Sequence, residues 1–143
     1  MKPENIEFLL RLFNEKAPIA RHLGMRLSFT DGCNAVVDLA YSPDLDHAMG
    51  GVHGGIYAAV LDSAGWFTSA VVRDELCWVA TSELSIHFLE PAQCTSLRAV
   101  GRLIKSGRRQ DIVEVHLYDG QDRLIGHAVG TFVVLPDIPL EVT

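Results

Sequence analysis

Residues 52–72 read VHGGIYAAVLDSAGWFTSAVV, and Asp62 is the only charged side chain from Gly54 to Val72. Two glycines follow His53, and the rest of the stretch is apolar almost all round when wound as a helix. A helix apolar on every face belongs inside something, a globular core or a bilayer. A carboxylate in such a place costs several kcal/mol of desolvation unless it is partnered. Two readings follow. Asp62 is an edge residue satisfied by a local hydrogen bond, or it is a carboxylate held in a dry cleft as base or nucleophile. The HGG run before it, at residues 53–55, favours the second.

The run is long enough to raise the question of a membrane span. Asp62 at its middle, with Ser63, Gly65, Thr68 and Ser69, argues against a lone spanning helix, so no membrane partner is expected. The flanking sequence is that of a β protein. Residues 3–16 set Ile6, Leu9, Leu10 and Phe13 at the spacing of a short amphipathic helix, which Pro18 closes. Residues 25–30 and 35–42 read as strands joined at Asp31-Gly32, with Val37, Leu39 and Tyr41 on one face and Asp38 turned away. Residues 42–51, SPDLDHAMGG, form a polar loop of the kind that carries function on a rigid scaffold.

Beyond the helix, expected over residues 54–73, the period becomes two. Ser82, Leu84, Ile86 and Phe88 alternate against Thr81, Glu83, Ser85 and His87 within a strand over 78–89. A further strand spans 95–104, with Lys105-Ser106-Gly107-Arg108-Arg109 as its turn. Residues 111–118 and 124–135 pair across Asp119-Gly120, a strong hairpin signal. No repeat or linker interrupts the pattern, so residues 1–143 are read as one domain. A single long apolar helix must be wrapped, and a curved antiparallel sheet is the only material left to wrap it. The fold class is therefore α+β, with a long central helix in the sheet's concave face and a short N-terminal helix.

A net charge of −6 offers no basic face to nucleic acid. Lys105, Arg108 and Arg109 form the one basic cluster, enough for a phosphate or two. Cys33, Cys77 and Cys94 are scattered without a C-x-x-C pair, and the first residues mix acids and bases, unlike a signal peptide. Both point to the cytoplasm. The histidines lack metal-ligand spacing, with His116 and His127 on different strands, so neither metal nor other cofactor is expected. A nucleotide-binding glycine loop and a serine nucleophile elbow are also missing.

His53-Gly54-Gly55 followed by Asp62 resembles the signature of the hotdog-fold acyl-CoA thioesterases, in particular the phenylacetate-pathway and 4-hydroxybenzoyl-CoA thioesterase type. The likeness runs from Gly24 to Val134 and includes strand order and the Gly130-Thr131-Phe132 ending. It implies hydrolysis of an acyl-CoA, with an aromatic or medium-chain acyl group, to free acid and CoA. Coenzyme A is then part of the substrate. Asp62 resembles the family's catalytic carboxylate, as nucleophile or as general base on water. Gly54, with Gly55 beside it, would present backbone N–H groups to the thioester oxygen at a helix start, where such donors are unpaired. Thr81 sits where relatives place a Ser or Thr near the water or carboxylate, and His53 would orient the loop. His47 stands where relatives commonly carry Asn or Gln. Lys105, Ser106, Arg108 and Arg109 would meet the coenzyme's phosphates.

Asp62 lies eight residues after Gly54, roughly 12 Å along a helix. One helix cannot readily set both groups on one carbonyl, but two copies can. This agrees with what the family implies, a homodimer with shared active sites, with dimers pairing into a homotetramer. Two other functions stay open: a hotdog hydratase or dehydratase on acyl thioesters, and a non-catalytic acyl-CoA-binding protein. The first typically flanks its histidine with proline rather than two glycines, and the second tends to lose the helix carboxylate.

Overall fold

The long helix is α3, Gly54–Val71. The computed structural model describes residues 2–31 and 33–141. α3 buries Tyr57, Val60, Leu61, Ala64, Phe67, Thr68 and Val71, the spacing of one broad helical face. The opposite side is not enclosed: Ile56, Ala59, Asp62, Ser63 and Trp66 are only half-buried. The expectation of a helix covered all round is thus corrected, because one curved sheet has one concave face to offer.

That sheet has six antiparallel strands: β1 Met25–Phe29, β2 Ala35–Leu39, β3 Cys77–Phe88, β4 Leu97–Ser106, β5 Gln110–Asp119 and β6 Leu124–Pro139. They lie in the order β1-β2-β4-β5-β6-β3, so β1 and β3 form its edges. Along β5, Val113, Val115 and Leu117 are fully buried against the helix, while Glu114, His116 and Tyr118 alternate onto the outer face. Gly101 of β4 lets α3 come close, since a Cβ there would sit 2.9 Å from the Ala64 carbonyl oxygen and overlap Thr68. The Thr68 hydroxyl in turn accepts the Ala35 N–H at 3.1 Å, tying the helix to β2. Phe132, fully buried under the helix, contributes about 1.5–3 kcal/mol by burial alone.

Several boundaries differ from expectation. The N-terminal helix α1, Pro3–Arg11, runs on through a π-helical turn, Leu12–Lys16. Pro18 opens a further helix, α2 Pro18–Leu23, as well as ending that turn, since proline's fixed φ suits a first helical position. Tyr41 lies beyond the end of β2, and Gly32 of the expected Asp31-Gly32 turn lies outside the described residues. β4 continues through Lys105 and Ser106, which leaves Gly107-Arg108-Arg109 as the turn.

The largest departure is in β3. A bulge between Thr81 and Glu83 leaves Ser82 without a register partner on β6. One extra residue reverses the alternation. Before the bulge the inward residues are Cys77, Val79 and Thr81; after it they are Leu84, Ile86 and Phe88. Unbroken alternation had set Thr81 on the face opposite Leu84, and the bulge turns it toward α3. Among the described residues no helix is long and apolar enough to cross a membrane.

Candidate active site

His53 caps α3. Its Nδ1 accepts the Gly55 N–H at 2.8 Å, and its backbone carbonyl accepts from Ile56 at 2.9 Å. A Cβ on Gly55 would fall 2.9 Å from that Nδ1, so the second glycine is what admits the cap. A Cβ on Gly54 would meet the Phe88 ring at 3.3 Å. The Gly54 N–H has no partner among the described residues. Of the two glycine donors expected to be open, only Gly54's is, because His53 has taken the other.

Gly54 lines a cavity of about 280 Å³ with His47, Val52, Tyr57 and residues 88–91. The preceding loop is ordered by its own hydrogen bonds: His47 N–H to the Gly51 carbonyl at 2.8 Å, and Gly50 N–H back to the His47 carbonyl at 3.0 Å. His47 Nδ1 accepts the Met49 N–H at 3.1 Å, which leaves Nε2 as the nitrogen able to donate. The Tyr57 hydroxyl donates to the Glu90 carbonyl at 2.8 Å, and burial pushes its pKa up. Alternation in the sequence did not single out Phe88 or Tyr57 for this cavity; the turn of β3 over the start of α3 brings them there.

Asp62 lies two turns further along, on the open side of α3. The Thr81 hydroxyl donates to its Oδ1 at 2.8 Å. Oδ2 accepts no bond among the described residues, so one oxygen is oriented and the other is free to take a proton or attack a carbonyl. Within one chain Asp62 is half-buried rather than enclosed in a dry cleft.

The fully buried carboxylate is a different one. Asp111 accepts from Ser69 Oγ at 2.5 Å and from the Gly107 N–H at 3.1 Å, and pairs with Arg73. Sequence reading missed this network, because Asp111 stood at a strand end where a charge draws no notice. It fastens the β4–β5 hairpin to the end of α3, and that hairpin carries Lys105, Ser106, Arg108 and Arg109, all exposed. Thr81 pairs with Phe132, which pairs with Asp111, so the basic hairpin lies at the Thr81 level of the sheet. The Gly54–His47 cavity lies toward Phe88, at the other end of β3. One chain therefore unites Asp62 with Thr81, and Gly54 with His47, but not the two pairs with each other.

A model of the thioesterase superfamily matches residues 49–125, more than half of the chain. The chain belongs to that superfamily. The match takes in His53, Gly54, Asp62, Thr81 and the basic hairpin, and membership makes the protein a thioester hydrolase. The chain is similar in structure to a thioesterase from Haemophilus influenzae, with a TM-score of 0.85 at 19% identity over 98% of this chain and 95% of the other. It is also similar to the E. coli PaaI protein from the phenylacetic acid degradation operon, with a TM-score of 0.83 at 16% identity over 96% and 95%. At these identities the likeness is one of fold, and the fold is the hotdog of a long helix in a curled sheet. A Bacillus halodurans protein solved with CoA is 29% identical, with a TM-score of 0.76 over 90% of this chain and 85% of its own.

Proposed function

We propose that this thioesterase hydrolyses an acyl-CoA, bearing an aromatic or medium-chain acyl group, to the free acid and CoA, at a site that two copies of the chain complete. The observation that carries the reading is the separation of parts. The Thr81–Asp62 pair occupies the open side of α3, while the unpaired Gly54 N–H lies roughly 12 Å away along the helix axis. A second copy laid against that open side would bring its Gly54 to this Asp62. It would also dry the carboxylate, strengthening every charge interaction in the cleft.

In such a site the Gly54 N–H and the positive end of α3 stabilise charge developing on the thioester oxygen. Asp62 attacks the carbonyl or takes a proton from water, with Thr81 holding Oδ1. The His47 Nε2–H stands where a neutral donor suits the carbonyl or the water. Lys105, Ser106, Arg108 and Arg109 bind the coenzyme phosphates. That the B. halodurans relative was solved with CoA supports an acyl-CoA as the substrate.

The acyl group would lie near the apolar cavity of about 400 Å³ lined by Leu12, Phe13, Trp66, Phe67 and Trp78. Trp66 is one helical turn beyond Asp62, and a cavity of this size is in the range of small-molecule sites. Dimers pairing into a homotetramer, and a cytoplasmic location in keeping with three free cysteines, complete the proposal. The test is a panel of acyl-CoAs with free-thiol release as the readout. Turnover of aromatic or medium-chain members, lost in Asp62→Asn, is the expected result; no thiol release from any member would overturn the reading.

A further inference from the structure

Three imidazoles stand in a row on the outer face of the sheet. His116 of β5 is the direct register partner of His127 of β6, and His127 is that of His87 of β3. Ring centroids lie 5.1 Å apart for the first pair and 6.3 Å for the second. Glu114 precedes His116 by two residues and so shares its face. Its Oε2 lies 3.0 Å from His127 Nε2, while Arg102 holds Oε1 at 2.9 Å. One donor atom each from Glu114, His116 and His127 falls within 4.8 Å of the other two, and all three residues are half-buried. The residues alternating with them, Val113 and Val115, point to α3, so this cluster is on the far side of the sheet from Asp62.

We propose that Glu114, His116 and His127 form a binding site for a divalent transition-metal ion, with zinc as its best occupant. Two imidazoles and one carboxylate are a donor set for zinc and its neighbours, whereas magnesium and calcium require oxygen ligands throughout. Bonds of zinc length set tetrahedral ligand atoms about 3.3 Å apart. The Glu114–His127 pair already meets that spacing, and His116 closes the remainder by side-chain rotation of at most about 1.5 Å. The backbone need not move, since β5 and β6 are paired along their length.

Arg102 has two effects. Its charge opposes the cation, but its bond to Oε1 orients the carboxylate and leaves Oε2 for the ion, as outer-shell partners do. The fourth position is open to water. Bound zinc would clamp β5 to β6 and take no part in thioester hydrolysis.

The test uses untagged full-length protein, freed of metal with a chelator. Zn²⁺ is titrated calorimetrically, and Co²⁺ serves as a spectroscopic stand-in. One ion per chain at micromolar concentration is expected, with a rise in Tm. The Co²⁺ spectrum should lack a thiolate charge-transfer band, which separates this site from the free cysteines. His116→Gln and His127→Gln, each checked for native circular dichroism, should weaken binding at least ~10-fold and abolish the Tm rise. Absence of Zn²⁺ binding, or binding that both variants retain unchanged, would overturn the proposal.

Discussion

At the scale of single residues the site turns on one hydrogen bond and one missing one. The Thr81 hydroxyl reaches Asp62, and the Gly54 N–H reaches no acceptor among the described residues. Asp62→Asn keeps the size and most of the hydrogen bonding but removes the negative charge. Thiol release from acyl-CoA should fall by at least ~10²-fold with the melting temperature little changed. Thr81→Val removes a donor to a charged group, and the rate should drop about 10- to 100-fold; Thr81→Ser should restore most of it. Equal loss in both variants would assign Thr81 a packing role instead. Trp78→Ala opens the apolar cavity at an exposed wall. It should raise KM for an aromatic acyl-CoA more than for acetyl-CoA, which a two-substrate comparison checks.

At the scale of elements, the β4–β5 hairpin hangs on a buried ion pair. Asp111 is fully buried and Arg73 largely so, and neither has another charged partner among the described residues. Asp111→Ala leaves Arg73 buried and unpaired, which should cost about 3–5 kcal/mol in urea unfolding. The β5–β6 hairpin offers a pH test. Burial raises the pKa of Asp119, but its ion pair with Arg123 at 2.8 Å and the N–H groups of Gln121 and Arg123 outweigh this and hold it below the ordinary value. A carboxyl depressed in the folded state adds stability above its unfolded pKa, near ~3.9, and loses it as pH falls through the lower folded value. Urea midpoints measured from neutral pH into strong acid should therefore decline less steeply for Asp119→Asn than for the wild type.

At the scale of the whole molecule, the proposed site takes two chains. β3 is an edge strand, with Thr81, Ser82, Glu83, Ser85 and His87 exposed. Beside it lies the open side of α3. A long free edge is a ready pairing surface, so a second copy is the expected occupant. Chains carrying Asp62→Asn and chains carrying Gly54→Pro should each be inactive. Proline at a first helical position removes the N–H while tolerating the helix. Refolded together, they should regain activity in the heterodimer, because one of its two interfaces joins two intact halves. Heterodimers confirmed by mass yet still inactive would mean that each chain builds its own site.

The sequence alone determined the six strands and the central helix. Each rests on a short-range rule. Burial at period two or near 3.6 is written within a dozen residues. The β5–β6 hairpin, with its Asp-Gly turn, was legible for the same reason. Tertiary structure decided what depends on phase and register between distant segments. The bulge at Ser82 turns Thr81 onto α3, although strict alternation points it away. Strand pairing sets His116 opposite His127, which their spacing in the chain does not reveal. The curvature of one sheet leaves one side of α3 only half-buried, although its composition is apolar almost all round. No local period encodes these three, because each follows from how one element meets another rather than from either alone.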